Sequence, residues 1–296
     1  MELRQLRVFE AVVRHGTVTD AAVALDLAPS SVSARIRALE ESLGVPLFDR
    51  TARGMRLTPS GERMLSWSRR LLDDADQARR DVVGAASALR LGALETIVAT
   101  LVPRVLARLA ARSPGTVTEV RSSSLRDELL ADVVDGSLDA ALLFDTGDAL
   151  GDLGFPQPEA PLAFLDVEPV PLALVAAPGN ALAGRPDLTP ADLRGQSLLA
   201  NVEGCSFRFA ADRFLGPEPA RVQAGGVSVQ RGWAEQGLGI ALLPDFAVAG
   251  AVRQGSLVEL DLPVPDISLR LVWRADRESL PGLRELLYAC AATPVA

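Results

Sequence analysis

Apolar positions in the first 45 residues repeat at helical spacing. Leu3, Leu6, Phe9 and Val13 fall three, three and four apart, which is one buried stripe of a helix. His15-Gly16 ends it, with glycine as the C-terminal cap. Thr19 or Asp20 can cap a second helix carrying Ala21, Ala22 and Leu25. After a brief turn, Asp26-Leu27-Ala28, Pro29 and Ser30 open a third helix, proline being tolerated in a first turn. Val32, Ile36, Leu39 and Leu43 form its inward face, and Gly44 stops it. The stretch "GVPLFDRTARGMRLTPSGERML" then breaks into short apolar pieces around Arg53-Gly54 and reads as a small β-wing.

From Met64 the spacing changes. Met64, Ser68, Leu71, Ala75, Ala78, Val82, Ala85 and Leu89 alternate four and three, a heptad seam with "RRLLDDADQARRD" supplying outward charge. Such a seam suits a helix pair or a single amphipathic helix packed on its own domain. Further on, "LRLGAL" reads as a buried strand, and Glu95-Thr96 lead into a helix holding Ile97, Leu101, Val105 and Leu109. "TVTEVRS" alternates as a strand. Ser124 can cap a helix with Leu125, Leu129, Leu130 and Val133 inward, and "SLDAALLF" is a third strand. This β-α-β-α-β order predicts a mostly parallel sheet. Past the Pro-rich "GFPQPEAPLAF" the pattern continues through "PVPLALVAAP", "TPADLRG", "SLLANVEG", a helix over 206–215 and "GGVSVQRGWAEQGLGIALLPDFAV". It closes with a strand, "ISLRLVWR", and a helix, "PGLRELLYACAA".

Composition narrows the function classes. The 296 residues are 48% hydrophobic, enough for two or three packed cores. The net charge of −8 argues against nonspecific adhesion of the whole molecule to nucleic acid or anionic membrane. Every one of the 30 basic residues is arginine. Residues 1–58 hold eight arginines against seven acids, a net of +1, which leaves −9 for the rest. The arginines of the front gather on the third helix and the wing. Opposite its apolar stripe that helix carries Ser30, Ala34, Arg37 and Glu41, flanked by Ser31, Ser33 and Arg35; Arg50, Arg53 and Arg56 follow. A helix entering a major groove needs a slim outer face with hydroxyls and fork-shaped donors for phosphates and base edges. An ordinary amphipathic surface helix is the other reading of that pattern. Two cysteines, Cys205 and Cys290, are too few for a disulfide framework and fit a reducing cytoplasm. "MELRQLRVFEAVVRHG" has charges throughout and no apolar core of a signal peptide, and no apolar run approaches the roughly 20 residues that span a bilayer. An enzyme is not expected. The single histidine, His15, sits at a helix end, metal-ligand spacing is absent, and "GLGIAL" at Gly237 has two glycines and follows a helix. No cofactor or metal is expected.

The run "LRVFEAVVRHGTVTDAAVALDLAPSSVSARIRALEESLGVPLFDRTARGMRLTPSGE" resembles the winged helix-turn-helix of LysR-type transcriptional regulators. Ala21-Ala22, Leu25, Ser31-Val32-Ser33, Ile36, Leu39-Glu40, Gly44, Leu47-Phe48, Arg50, Arg53, Leu57-Thr58 and Gly61 carry the likeness. Two departures, Ala28-Pro29 where the family often has Thr-Gln and Ala34 where it often has Arg or Gln, fall at positions that commonly touch DNA. They point to an unusual operator. The resemblance implies an α/β protein overall: a DNA-binding domain over 1–58, a linker and dimerisation helix over 59–89, and a periplasmic-binding-protein-like effector domain over 90–296. Its lobes would span about 90–165 with 266–296, and about 166–265, the chain crossing near Asp166 and Pro265. It also implies DNA contact by Ser30, Ser31, Ser33, Arg35, Arg37, Arg50 and Arg53. Double-stranded DNA with two-fold related half-sites, a small-molecule effector, a second copy in a homodimer or homotetramer, and RNA polymerase are the implied partners.

Ligands of such a fold bind where strand ends and helix N-termini converge. The candidates are Glu95, Thr96, Ser124, Arg126, Asp145, Thr146, Cys205, Ser206, Arg208 and Ser228. Ser124, Ser206 and Ser228 also suit plain helix caps, and Arg208 also suits pairing with a surface acid. Glu95, where the family usually has a small neutral residue, disfavours a simple dianion and permits an ammonium group, so a zwitterionic or aromatic acid is expected. Two other readings stand beside this one. Cys205 at a helix N-terminus could serve a redox-sensing regulator. The back half alone would suit a small-solute-binding protein, which would lack residues 1–89.

Overall fold

The computed structural model describes residues 1–51, 54–83, 88–278 and 280–291. It divides into two compact units, Met1–Ser87 with Val134–Ser137, and Ala88–Val133 with Leu138–Ala296.

The first unit opens with α1 (Leu3–His15), α2 (Val18–Ala24) and α3 (Pro29–Leu43), then a hairpin of β1 (Phe48–Thr51) and β2 (Gly54–Leu57), then α4 (Pro59–Val83). Thr17 caps α2, its hydroxyl accepting from the Asp20 N–H at 3.1 Å. The expected caps, Thr19 and Asp20, are instead the second and third residues of the helix, because Gly16 already ends α1 in the left-handed region and leaves Thr17 extended. Leu6, Phe9, Val12, Ala21, Ala22, Val32, Ile36, Leu39, Leu47 and Phe48 form the core. Phe9 and Phe48 bring their rings to 5.2 Å, joining the helices to the wing. The Glu40 carboxylate accepts from the N–H groups of Leu47 and Phe48 at 2.8 and 3.2 Å, tying α3 to the wing. Gly61 is required where α4 begins, since a Cβ there would collide with the carbonyl oxygen of Leu47.

The heptad seam expected from Met64 to Leu89 does not run as one surface. Met64 and Leu72 are buried in the first unit's own core, and Leu65 and Leu71 pack against it. Ser68 is fully buried and donates to Glu10 of α1 at 2.8 Å. Ala78 is exposed and Val82 is 88% exposed. Leu89 belongs to the next strand, and Ala85 lies outside the described residues. One helix therefore does two jobs: its first turns close the core, and its later turns leave apolar side chains uncovered within the unit.

The second unit has two lobes. In chain order it contains β3 (Leu89–Leu94), α5 (Glu95–Thr100), α6 (Val102–Arg112), β4 (Thr118–Ser123), α7 (Arg126–Asp135), β5 (Ala140–Asp145) and β6 (Leu162–Val170). Then come β7 (Leu172–Ala176), β8 (Ser197–Ala200), α8 (Ser206–Leu215), β9 (Ala220–Gln223), α9 (Val227–Glu235), β10 (Ala241–Pro244), α10 (Asp245–Gln254) and β11 (Val258–Glu259). β12 (Ile267–Arg274) and α11 (Pro281–Ala291) complete it. The first lobe's sheet has the order β4-β3-β5-β12-β6, with β4, β3 and β5 parallel and β12 antiparallel to both neighbours. The second lobe has β10-β7-β11 and β8-β9, linked by a parallel bridge between Leu198 and Ile240.

The chain does not cross between lobes near Asp166. β6 stays in the first sheet to Val170, where it pairs with Ile267, and β7 begins at Leu172. Asp166, Glu168 and Pro169 hide this strand from the sequence pattern. All three are tolerated because β6 is an edge strand. The return crossing falls between Glu259 and Ile267.

Candidate functional site

In the first unit the side chains expected to meet DNA are set out by α3. Val32, Ile36 and Leu39 are buried and fix its rotation. Ser30 and Arg37 are exposed, and Ser31, Ser33 and Arg35 are partly so. Arg37 lies back along the helix, its Nε donating to the Ser33 carbonyl at 3.3 Å. Arg50 stands in β1 opposite Met55, and Arg56 is exposed on β2 opposite Asp49. Arg53 lies outside the described residues.

In the second unit a cleft of about 400 Å3 opens between the lobes. Glu95, Thr96, Ala99 and Thr100 of α5 line one side; Gly226, Val227, Ser228 and Arg231 around the start of α9, with Phe246 and Ala247 of α10, line the other. Of the expected residues this cleft gathers Glu95, Thr96 and Ser228. Its two charges have opposite sign and come from opposite lobes. Arg231 was missed by the sequence reading. It stands three residues after Ser228, hence on the same helical face, and that spacing was the available signal. Its Nη1 donates to the Ala247 carbonyl at 3.3 Å.

A second group forms where α7 of the first lobe meets α8 of the second. Arg126 is buried and donates from Nη2 to Ser206 Oγ at 2.6 Å. Its guanidinium carbon lies 3.9 Å from the centroid of the Phe155 ring and 5.1 Å from that of Phe209. Phe207 packs on Phe144 of β5, with centroids 5.2 Å apart. Such a pair contributes about 0.5–1.5 kcal/mol beyond area burial, so α8 is anchored to both lobes. Cys205 sits at the N-cap of α8. Burial pushes its thiol pKa up, outweighing the N–H groups of Phe207 and Arg208 and the nearby Arg126, which favour the thiolate.

Other expected ligand contacts are committed elsewhere. Asp145 is fully buried. Its oxygens accept from the N–H groups of Gly151 and Leu153, at 2.7 and 2.9 Å, and from Arg270 Nη1 at 2.9 Å. It pins the loop after β5. An arginine inside the apolar strand "ISLRLVWR" was the sign that some acid must be spent on it. Thr146, next along, is partly buried. Arg208 pairs with Asp212 one helical turn on, at 2.8 Å. Ser124 is exposed; it is Ser123 whose hydroxyl accepts from the Leu125 N–H, at 3.0 Å, and donates to Glu128, at 2.8 Å, at the start of α7. Among the described residues no group of three or more His, Cys, Asp or Glu could hold a metal ion, and no helix is long and apolar enough to cross a membrane.

Comparison with known proteins covers both units. Residues 3–62 match the family described as bacterial regulatory helix-turn-helix protein, lysR family, and residues 84–293 match the LysR substrate binding domain. The HTH-type transcriptional regulator YofA of Bacillus subtilis (strain 168) is 30% identical over 285 residues, 93% of each chain. Among solved structures, a full-length OxyR variant from Pseudomonas aeruginosa superposes with a TM-score of 0.72 at 23% identity, covering 100% of this chain and 96% of that one. CbnR solved in complex with its target DNA gives 0.63 at 20% identity, covering 98% of this chain and 99% of that one.

Proposed function

The chain belongs to the LysR family of DNA-binding transcriptional regulators with an effector-binding domain, and from that premise we propose how its parts divide the work. Residues 1–58 read DNA through α3. Ser30, Ser31 and Ser33 allow close approach, while Arg35 and Arg37 reach phosphates or base edges, with Arg50 and Arg53 of the wing on the flanking backbone. The linker over 59–89 pairs two copies, matching two-fold related half-sites. The domain over 90–296 takes an effector between its lobes, with Glu95, Thr96, Ser228 and Arg231 as contacts. The protein acts by binding and not by catalysis, in the cytoplasm, with RNA polymerase as its partner at the promoter.

One observation carries the DNA-reading half. α3 buries Val32, Ile36 and Leu39, leaves Leu43 at its end exposed, and turns a face of serines and arginines outward. Each arginine on a phosphate releases counterions, so its removal reduces the slope of log affinity against log salt by about one. Arg35→Ala and Arg37→Ala, titrated against a fragment selected from genomic DNA, should show that loss. Unaltered affinity and slope in both would move the DNA surface elsewhere. The redox reading is opposed by the chemistry of Cys205. The reactive form is the thiolate, and burial disfavours it here. Cys290 is pushed up to about 12 by burial. Cys205→Ser should leave any effector response in place.

A further inference from the structure

Two arginines of the second unit are completely buried, and their surroundings differ. Arg270 on β12 is bonded at every nitrogen: Nε to Asp166 at 2.7 Å, Nη1 to Asp145 and the Ala149 carbonyl, and Nη2 to the Gly147 carbonyl. Arg126, the first residue of α7, is 1% exposed and bonded only through Nη2, to Ser206. Its Nε and Nη1 have no hydrogen-bond partner among the described residues. Among those residues no carboxylate comes within ion-pair distance of it either. Burial lowers its pKa against the through-space pull of Cys205, Asp127 and Asp145. Asp145, the buried acid of that group, is already spent on Arg270 and two backbone N–H groups.

A buried cation with two empty donors is costly, because each donor has given up water for nothing. The rings of Phe155 and Phe209 return part of that cost through cation–π attraction. Among the described residues none supplies the missing negative charge. The group also lies where the lobes meet, since Arg126 belongs to the first and Ser206 to the second.

We propose that Arg126 is the anion-recognising residue of the effector domain and that the effector is an organic monocarboxylate with a flat apolar body. This names the ligand class for the ligand-regulated reading above and rests on it, while Arg126, Ser206, Phe155 and Phe209 are not among the residues lining the α5–α9 cleft and would form a second ligand contact between the same lobes. A carboxylate fills the donors that the chain leaves open, and one negative charge matches one guanidinium. A phosphate dianion would bring a second buried charge with nothing to meet it. Phe155 and Phe209 supply apolar walls beside the charge, and the Ser206 hydroxyl can donate to a carboxylate oxygen while it accepts from Arg126. Because the Arg126–Ser206 bond spans the lobes, occupation of this site alters the contact between them.

The test is thermal unfolding of the full-length protein in sodium benzoate, and separately in sodium phosphate, at matched ionic strength. Benzoate at about ten times its Kd should raise Tm by about 4 °C, and phosphate should not. Arg126→Met should keep or raise the ligand-free Tm, since an unpaired buried charge gives way to an apolar side chain of similar length, and should lose the benzoate shift. Arg126→Lys should keep less than half of it, lacking the planar fork. Four outcomes overturn the proposal: no shift with benzoate, an equal shift with phosphate, a full shift in Arg126→Met, or a lowered ligand-free Tm or failure to fold in that variant. The last would make Arg126 a structural residue. Wild-type affinity for the selected DNA fragment is measured in parallel. The regulator reading stands or falls on that arm alone, and the assignment of Arg126 on the melting arms.

Discussion

Arg270 and Asp145 form a fully buried ion pair of the effector domain, closed by further hydrogen bonds to both side chains. Removing one partner strands the other charge in the core, a loss of about 3–5 kcal/mol. Arg270→Ala should therefore lower stability by that amount in a urea titration; a change under about 1 kcal/mol would show that water reaches the site. Glu10 shows the opposite sign in the first unit. Burial raises its pKa, although the Ser68 hydroxyl and nearby Arg69 and Arg14 pull the other way. A carboxyl whose folded pKa lies above its unfolded value stabilises the fold fully while protonated. That stability is lost as pH rises through the folded value. Glu10→Gln, which still accepts from Ser68, should raise Tm at pH 7 and lose that advantage in acid, below the carboxylate range. An equal gain at both pH values would remove the charge argument. Neither role was legible residue by residue. Glu10 and Asp145 look like ordinary helix and strand-end acids until the fold brings Ser68 and Arg270 to them.

At the scale of the element, α4 is where sequence and structure part most clearly. The heptad pattern named the helix correctly but could not say which turns face what. Met64, Ser68 and Leu72 serve the first unit's core, whereas Ala78 and Val82 lie open to solvent. A charge at Leu71 would strike the fold of the DNA-binding unit along with any dimer. Val82→Asp avoids that, because Val82 touches nothing in its own unit that it must bury. If the later turns of α4 pair two copies, Val82→Asp should shift the protein toward monomer in sedimentation and weaken binding to two-half-site DNA by at least tenfold. Any fall in Tm should come from the lost pairing, which makes Tm concentration-dependent, because Val82 is 88% exposed within its own unit. An unaltered oligomer would place the pairing surface outside these turns.

For the whole molecule, regulation requires that an effector distinguish two states of the protein. A ligand shifts an equilibrium only by its difference in affinity for the two forms. The cleft between α5 and α9 presents Glu95 and Arg231 from opposite lobes, so a ligand bridging them favours whichever lobe arrangement holds both. Arg231→Ala and Glu95→Gln should each reduce the change in operator affinity produced by a cognate ligand. Loss of the response in neither variant would exclude this cleft as the sensor.

The sequence alone determined the elements whose signal is local. Apolar spacing of three and four located α1, α3 and the start of α4, and the alternating and continuous apolar runs located β3, β5 and β12, since helix and strand periods are written into neighbouring residues. It also placed a slim face of serines and arginines on α3. What only the tertiary structure decided is how side chains far apart in the chain share their charges and donors. Arg270 stands inside an apolar strand, which announces a need for an acid, and Arg126 stands beside Asp127 and Glu128, yet neither setting says which distant side chains each one meets. One finds Asp145 and Asp166, 125 and 104 positions away; the other, among the described residues, finds only Ser206 as a hydrogen-bond partner, 80 positions away. Hydrogen bonding and desolvation are settled by distance in space, so whether a buried charge is satisfied or left waiting is a property of the packed fold.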